Sequence, residues 1–293
     1  MKTAATIILY NPNIEVLERI RQYLHFVKKI YIIDNSDSVF LDFSGIKTDK
    51  IEYIRNNNNY GIAFALNQGA DMAVKDKFDW LVTLDQDSLF NEEILKYLTV
   101  FIKSHKEINA GIVSPFHEIL FGKDYTKLLD YSEEEEVMTS GNLLNLKAFK
   151  QAGPFMSELF IDSVDHEYCL RLQTFGYKII KVNKIPLKHN LGNRTVHFWM
   201  NPFNIFSKKR TVFKTVAANN HNHIRKYYMV RNRLYVSSLY KEAFPSYREK
   251  MIKSLLEEVR NVIMYEDHKI LKLKSMLAGY LDYRKGRLGK KEF

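Results

Sequence analysis

The sequence predicts an α/β domain, in which helices flank a mostly parallel sheet, followed by a helical, basic C-terminal extension. The first 115 residues alternate short apolar runs with amphipathic helical patterns. The apolar runs are almost uninterrupted, which is typical of parallel strands that are covered on both faces. From residue 221 onward the pattern is largely helical, and basic residues are concentrated in the same part of the chain.

The elements follow in order along the chain. Strands are predicted at residues 6–9, 30–33, 51–54, 80–84 and 111–114, and helices at 14–27, 62–74 and 92–104. Beyond them, strands are predicted at 137–146, 177–182 and 185–189, a helix at 163–175, and a helix break at Pro245. The four glutamates at 133–136 are interpreted as a solvated segment without a role.

Composition narrows the class of protein. The single cysteine, Cys169, excludes an intramolecular disulfide and a cysteine-rich zinc site, so we expect a reducing compartment. No run of about 18 apolar residues is present, and the short apolar N-terminus is interpreted as a buried strand rather than a secretory signal. Residues 186–293 have a net charge of +15 and residues 1–185 of −5, so the basic part is expected to attract phosphates.

Asp85 and Asp87 are the sharpest candidates for chemistry. They follow the apolar run at 80–84, which puts both carboxylates at the mouth of a buried strand. Ligands bind at the carboxyl ends of parallel strands, and Mg²⁺ or Mn²⁺ prefers one or two carboxylates together with phosphate oxygens. The alternative is a solvated turn, because aspartate favours such positions for backbone reasons.

Two further segments follow predicted strands. Asp34 follows the run at 30–33, and its carboxylate is suited to accept from the imide N–H of uracil or thymine, although an Asx-turn also explains it. Residues 55–69 are rich in asparagine, and Asn59 is suited to cap the next helix. A helix N-terminus aimed at the sheet mouth favours anions, and a capped helix without ligand is the alternative.

An acidic cluster at residues 162–167 is the candidate for a general base. Asp162, Asp165 and Glu167 lie at a predicted helix start, where acids are also favoured as caps and by the helix dipole. A carboxylate near a metal site is what deprotonation of an acceptor hydroxyl requires. Asp162 precedes Asp165 by about one helical turn, so both can face the same cleft.

The order and spacing of these motifs resemble family 2 glycosyltransferases, particularly their rhamnosyltransferase-type branch, from Thr6 to about Leu239. The resemblance implies a GT-A-type fold, a dTDP- or UDP-sugar donor, Mg²⁺ or Mn²⁺, and inversion at the anomeric carbon. It implies a catalytic domain at 1–220, with a nucleotide-sugar-binding part at 1–115 and an acceptor-side part at 116–220, before the extension at 221–293. The processive Gln-x-x-Arg-Trp motif is absent, so a single-addition enzyme is expected.

The resemblance also implies residue roles. Residues 164–167 match the Glu-Asp-x-Asp motif imperfectly, which makes Asp165 the expected base and leaves Asp162 and Glu167 as competing acids. The expected nucleotide-sugar contacts are Asn11, Asp34, Asn59, Gly61, Asn67 and Asp85. The expected metal site consists of Asp87, Asp85 and His189, and the expected acceptor-side residues include Ser140 and Asn142. A Tyr-Tyr-x-x-Arg-Asn stretch suggests acceptor or phosphate contacts from Arg225, Tyr228, Arg231 and Asn232.

The expected acceptor is a glycan, lipid-linked and growing, destined for the cell surface. Rhamnose from dTDP-rhamnose is the preferred donor, and UDP-galactofuranose, UDP-glucose and UDP-N-acetylhexosamines remain alternatives. The aromatic and cationic segment at 197–210 suits an anionic membrane surface or core packing, so the enzyme is expected in the cytoplasm, peripheral to the membrane. A phosphohydrolase, a glycosidase and a nucleic-acid-binding module are the competing classes, and no nucleic-acid partner is expected.

Overall fold

The structure is a computed structural model, and its chain divides into two compact units. It describes residues 1–38, 41–43, 45–46, 48–118, 129–188, 195–200, 213–218 and 220–293. Unit 1 is Met1–Asn190 with Leu288–Glu292, and unit 2 is Leu191–Arg287 with Phe293. The domain boundary expected at residue 220 therefore falls inside unit 2. Within the described ranges, every helix falls short of the length and apolar character that crossing a bilayer requires.

Unit 1 is built on one eight-stranded sheet, with the order β3-β2-β1-β4-β7-β5-β8-β6. Its strands are β1 Thr3–Leu9, β2 Ile30–Asp34, β3 Ile51–Arg55, β4 Trp80–Asp85, β5 Ala110–Glu118, β6 Tyr131–Glu133, β7 Asn142–Asn145 and β8 Lys178–Lys188. Its helices are α1 Glu15–Tyr23, α2 Ile62–Lys75, α3 Glu92–Ser104, α4 Leu146–Ala152 and α5 Val164–Thr174. The first four strands are parallel to one another, whereas β7 and β6 pair antiparallel with their neighbours.

The apolar runs become the sheet centre because they can be covered on both faces. All five residues of β2 are buried, as are the first five of β4, and a continuous core joins Ile32, Val82 and Leu98. The helix predicted at 92–104 is found with those bounds, because the Asn91 side chain accepts from the Ile94 N–H and fixes its start.

The strands predicted at 137–146, 177–182 and 185–189 are divided differently in the structure. The strand expected at 137–146 is confined to Asn142–Asn145, because the Asn145 side chain accepts from the N–H groups of Lys147 and Ala148 and starts α4 there. The strands expected at 177–182 and 185–189 are one strand, β8, whose pairing with β5 shifts register between Pro115 and Phe116.

Unit 2 contains the hairpin β9 Thr195–Met200 with β10 Phe213–Ala218, and the helices α6 His223–Leu239, α7 Pro245–Tyr265 and α8 Lys269–Arg284. Pro245, expected as a helix break, is the first residue of α7, where its missing N–H costs nothing. A Cβ at Gly279 would lie 2.4 Å from the Tyr227 carbonyl oxygen, so α8 approaches α6 closely. Beneath the helices, the buried Glu266 accepts from Lys226 at 2.6 Å and Lys272 at 3.0 Å.

Candidate active site

The sheet register brings the predicted donor-side residues to one edge. Asp34, the last residue of β2, is in register with Leu9, the last residue of β1. Asp85, the last residue of β4, is in register with Ile8 on the other side of β1. Because these strands are parallel, their carboxyl ends meet, and this is the edge at which ligands bind in open α/β sheets.

Asp34 is completely buried, and other groups fix the orientation of its carboxylate. One oxygen accepts from the Ser36 N–H at 2.9 Å and the other from the Tyr53 hydroxyl at 2.8 Å. Burial raises the pKa of Tyr53, and its hydrogen bond to Asp34 raises it further, so Tyr53 remains a donor. The Asn11 N–H donates to the Ser36 hydroxyl at 2.8 Å, which ties the end of β1 to this turn.

An amide network holds the loop between β3 and α2. Asn35 donates to the Gly61 carbonyl at 2.8 Å and accepts from Asn56 at 2.7 Å, and Asn56 exchanges hydrogen bonds with Gln68. The Asn59 side chain accepts from the Gly61 N–H at 2.9 Å, as an Asx-turn does. Gly61 has a φ of +91°, and a Cβ there would lie 2.5 Å from the Phe160 carbonyl oxygen. The conformation of this loop is therefore fixed by side-chain hydrogen bonds before any ligand binds.

Asn67 has a structural partner. Its amide donates to the Phe155 carbonyl at 2.9 Å, and its carbonyl accepts from the Phe155 N–H at 2.7 Å. These two bonds join α2 to the segment that precedes the acidic cluster. Both polar groups of the Asn67 side chain are therefore engaged by the Phe155 backbone in this structure, and the nucleotide contact expected from the sequence stays a prediction.

The turn that carries Asp85 and Asp87 is braced from both sides. The Tyr10 N–H donates to the Gln86 side chain at 3.0 Å, and Arg19 donates to the Gln86 carbonyl at 3.1 Å. Ser88 closes the turn, because its hydroxyl accepts from the Asp85 N–H at 2.9 Å and its N–H donates to the Asp85 carbonyl. The two carboxylates are half-buried on this fixed backbone.

The carboxylate oxygens at this turn fit a divalent cation that needs few ligands from the protein. Mg²⁺ usually takes one or two carboxylates together with substrate phosphate oxygens, and Asp85 and Asp87 offer two. Within the described ranges, no three His, Cys, Asp or Glu side chains form a complete ligand set. His189, the third expected metal residue, lies outside the residues that the structure describes.

Ser140 and Asn142 lie next to the same turn and are buried. The Ser140 hydroxyl is 2.5 Å from that of Ser88, and the Ser140 carbonyl is 2.7 Å from His117 Nε2. Asn142 donates to the Met138 carbonyl at 2.6 Å, while its side-chain carbonyl is buried without a hydrogen-bond partner among the described residues. Asn142 and Asp165 line one cavity of about 10 Å³, which is at the lower limit for a single water.

The segment before α5 has an unusual backbone. Phe160, Asp162 and Ser163 have φ values of +65°, +69° and +62°. These lie in the left-handed region, which residues other than glycine rarely adopt. The Ser163 hydroxyl donates to Asp162 at 3.0 Å. Left-handed residues of this kind are costly and concentrate at functional sites. They direct the chain into α5 immediately before Asp165.

Asp165 and His166 form a charged cluster with Glu136. His166 Nδ1 lies 2.8 Å from Glu136 Oε2, and His166 Nε2 lies 4.0 Å from Asp165 Oδ1. Burial raises the pKa of Asp165, an effect that His166 opposes and Asp162 reinforces. Burial alone would lower the pKa of His166, but the carboxylates of Asp165 and Glu136 raise it to about 9. The imidazole is therefore protonated at neutral pH.

The interpretation of residues 133–136 as a solvated segment is wrong for Glu136. Its side chain is 16% exposed because it pairs with His166. Glu133 and Glu134 instead pair with Lys178 and Lys181 across the β6–β8 edge. A run of four like charges has no sequence feature that distinguishes its last member, so only the fold identifies Glu136.

Glu167, expected as a competing acid, forms an ion pair with Arg171. It is fully buried and accepts two hydrogen bonds from Arg171, at 3.0 and 2.8 Å. Arg171 also donates to the Ala152 and Pro154 carbonyls, which fixes the turn after α4. Both carboxylate oxygens of Glu167 therefore accept from Arg171, and the roles expected of Asp165 and Asp162 stay predictions.

The end of the chain returns to unit 1 beside these segments. The Gly289 N–H donates to the Glu158 carbonyl at 2.7 Å. Lys290 Nζ donates to Asn58 Oδ1 at 3.1 Å and lies 5.9 Å from the centre of the Phe160 ring. Residues 288–292 therefore bridge the loop before α2 and the segment before α5, a contact that the sequence does not reveal.

The four expected acceptor contacts lie on α6 in unit 2. Arg225 is exposed, but Tyr228, Arg231 and Asn232 are buried. The Arg231 guanidinium lies 4.8 Å from the Tyr228 ring centre and donates to Asn232 at 2.8 Å. These three side chains are not available on the surface in this conformation, so only Arg225 can meet a ligand there without rearrangement.

Comparison with known proteins gives a family profile that matches part of the chain and a similar protein. Residues 12–152 match the profile of glycosyl transferase family 2. The dTDP-rhamnosyl transferase RfbF of Shigella flexneri is 25% identical over 245 residues, which cover 78% of this chain and 77% of the relative. The matched family region contains the Asp34, Asp85 and Asp87 positions and ends before Asp165.

Two solved structures resemble the fold, each with 14% identity and a TM-score of 0.51. GalNAc-T7 with UDP, GalNAc and Mn²⁺ matches 64% of this chain, and S. aureus TarS matches 97%. The chain spans less than half the length of each, 44% and 48%. At this identity they bear on the fold alone, and they confirm the GT-A-type architecture predicted from the sequence.

Proposed function

The chain is a glycosyltransferase related to family 2, and on that premise we propose that it transfers a sugar from a nucleoside diphosphate to a glycan hydroxyl with inversion. The donor proposed first is dTDP-rhamnose, because the relative matched over most of the chain is a dTDP-rhamnosyl transferase. UDP-galactofuranose, UDP-glucose and UDP-N-acetylhexosamines are the alternative donors. The proposed acceptor is lipid-linked, at the cytoplasmic face of the membrane.

One observation carries the proposal: carboxylates lie on three segments, of which two are joined by a hydrogen bond and two line a common cavity. The Asp85–Asp87 turn is linked through Ser88 to Ser140, and Asp165 shares a cavity with Asn142, two residues beyond Ser140. A transferase needs one group for the departing diphosphate and another for the attacking hydroxyl. The two half-buried aspartates suit the first task, and Asp165 suits the second.

For donor binding, Asp34 is the proposed contact to the base. Its two oxygens each accept one hydrogen bond from the protein, and a carboxylate has about four acceptor positions. Two positions therefore remain, and because Asp34 is completely buried here, the imide N–H of thymine or uracil reaches one of them only after the surrounding residues rearrange. The preset loop at Asn59 and Gly61 lies beside the N-terminus of α2, where anions are favoured.

For the leaving group, Asp87 and Asp85 are the proposed holders of Mg²⁺ or Mn²⁺. Such a cation supplies charge neutralisation for the departing diphosphate. Arg19 and Tyr10 brace the turn, so the carboxylates need little reorganisation when the donor arrives.

For the acceptor, Asp165 is the proposed general base. Its carboxylate takes the proton from the acceptor hydroxyl as that oxygen attacks the anomeric carbon, and the diphosphate leaves from the opposite face. A raised pKa lies closer to physiological pH, and a carboxylate with such a pKa is a more effective base there. The adjacent imidazolium of His166 opposes this rise in pKa and so favours the ionised form of Asp165.

A thermal-shift panel tests this function. The protein is heated with UDP, dTDP, GDP or CDP, each with and without Mn²⁺ or Mg²⁺, since a ligand that binds only the folded state raises its stability. We expect a metal-dependent shift with dTDP or UDP and none with GDP or CDP. Absence of any shift would contradict the proposed nucleoside diphosphate donor and its metal dependence.

A further inference from the structure

Among the residues that the structure describes, helices α7 and α8 of unit 2 leave an apolar groove uncovered. The groove has a volume of about 350 Å³, and its lining is almost wholly apolar; Ile252, Leu256, Leu277 and Tyr280 contribute to it. Leu256 is 67% exposed and Leu277 is 58% exposed. Isolated exposed apolar side chains are ordinary in proteins, but a contiguous set on two adjacent helices marks a contact surface. We call it the α7–α8 groove.

The spacing of these side chains gives each helix one apolar outer face. On α7, Ile252, Leu256, Val259 and Ile263 follow one another at intervals of four, three and four residues. On α8, Ile270, Leu273, Leu277 and Tyr280 follow at intervals of three, four and three. Such intervals align side chains on one side of a helix. Ile270 is 72% exposed, so this face continues beyond the groove itself.

The charge of unit 2 as a whole is strongly positive. Unit 2 contains 20 lysines and arginines against 7 aspartates and glutamates, a net charge of +13. Among residues 220–287, eleven lysines and arginines are exposed against four acids. The other three acids, Glu258, Glu266 and Asp282, are buried, and each accepts a hydrogen bond from a side chain on α6. Lys253 and Lys274 are exposed and stand beside the apolar side chains on α7 and α8.

This combination of charge and apolarity selects between two occupants of the groove. A second copy of the chain would bring another unit of charge +13 against the first, and like charges oppose such pairing. An anionic bilayer offers hydrocarbon to the apolar face and negative headgroups to the surrounding lysines.

We propose that the α7–α8 groove is the surface by which the protein binds anionic phospholipid membranes, with Leu256 and Leu277 entering the headgroup layer. The inference rests on unit 2 alone and holds whatever sugar the enzyme transfers. Residues 201–210 of the segment expected from the sequence to meet the membrane lie outside the residues that the structure describes, and the inference does not depend on them. A lysine near an anionic surface contributes about fivefold in affinity, so the binding is expected to weaken strongly with salt.

Sedimentation with vesicles tests the proposal on the full chain. The probes are phosphatidylcholine vesicles with and without phosphatidylglycerol, at ionic strengths of about 0.1 M and 1 M, where the Debye length is about 10 Å and 3 Å. We expect binding to the anionic vesicles at low salt, at least about tenfold weaker at high salt or without phosphatidylglycerol. Failure to bind anionic vesicles at low salt would overturn the proposal.

Variants locate the surface. Leu256→Glu and Leu277→Glu are each expected to weaken vesicle binding at least about tenfold, because an inserted apolar side chain becomes a repelled charge. The control is Val100→Glu, which changes a 56% exposed side chain on α3 of unit 1 and is expected to bind as the wild type does. Equal binding by all three variants would refute the assignment. So would a wild-type dimer that Leu277→Glu dissociates without loss of vesicle binding.

Discussion

His166 Nδ1 lies 2.8 Å from Glu136 Oε2, and this ion pair joins two segments that are thirty residues apart in the sequence. The pair turns the imidazole so that its other nitrogen lies toward Asp165. A carboxylate, an imidazolium and a second carboxylate therefore stand in a row at the start of α5. The proposed base is thus held by charge as well as by the unusual backbone before it.

The first prediction concerns the charge on His166. Its pKa is raised from 6.5 to about 9, so the folded protein binds a proton that the unfolded chain releases. The resulting stabilisation is complete below about pH 6.5 and is lost as the pH rises through about 9. Relative to His166→Gln, we expect the wild type to lose about 1–3 kcal/mol of unfolding free energy across that range, measured by urea denaturation at several pH values.

His25 provides the control for this measurement, because it is exposed at the end of α1. The variant His25→Gln should keep the pH dependence of the wild type. A His166→Gln variant with the same pH profile as the wild type would show that His166 is not protonated at neutral pH in the folded state.

The second prediction separates Asp165 from Glu167. Asp165→Asn should lower turnover of the donor with a glycan acceptor by about 10²–10⁴-fold, because a general base contributes that much, and should leave nucleotide binding within about twofold. Glu167→Gln removes an acceptor of Arg171 and should instead cost about 2–4 kcal/mol of stability, with smaller loss of turnover per folded molecule.

Initial rates, calorimetric nucleotide binding and denaturant titration of both variants distinguish the two roles. Near-wild-type turnover by Asp165→Asn would remove it as the base, and Asp162→Asn would then be the next variant to measure.

The sequence was sufficient to predict local features, such as the ends of helices and strands. It was insufficient to predict which distant side chains pair with one another. The bounds of α3 and the position of Asp85 at the end of β4 could be predicted, because a cap and an apolar run are encoded by neighbouring residues. The partners of Asn67 and Glu136 could not, since Phe155 lies 88 residues from Asn67 and His166 thirty from Glu136. The sequence alone does not show whether an amide or carboxylate side chain is available to a ligand or already forms a structural hydrogen bond.

The third prediction concerns metal dependence. Asp87→Ala should weaken binding of dTDP in the presence of Mn²⁺ by at least about tenfold and leave metal-free binding unchanged, because the carboxylate is a proposed ligand of the cation. The control is Asp49→Ala, which removes an exposed carboxylate just before β3. This residue lies at the amino end of the strand, away from the proposed site at the carboxyl ends. Calorimetric titration with and without Mn²⁺ measures both. An unchanged metal effect in Asp87→Ala would exclude Asp87 from the site.

The last prediction concerns Lys290, which bridges two segments of the site. Its ammonium donates to Asn58 in the loop before α2, while Gly289 is bonded to Glu158 in the segment before α5. Lys290→Ala should weaken dTDP binding about two- to tenfold, the effect of one lost hydrogen bond that orders the loop. Lys290→Arg should restore most of it, because a guanidinium can donate to the same carbonyl.

A double-mutant cycle with Asn58→Ala measures whether the contact itself is responsible. The two alanine variants should together weaken dTDP binding no more than either does alone, because each removes the same interaction. The matched control is Lys285→Ala, an exposed lysine at the end of α8 that should leave dTDP binding unchanged. Additive effects of Lys290→Ala and Asn58→Ala would show that the C-terminal segment acts on the site by another route, such as the general field of its charge.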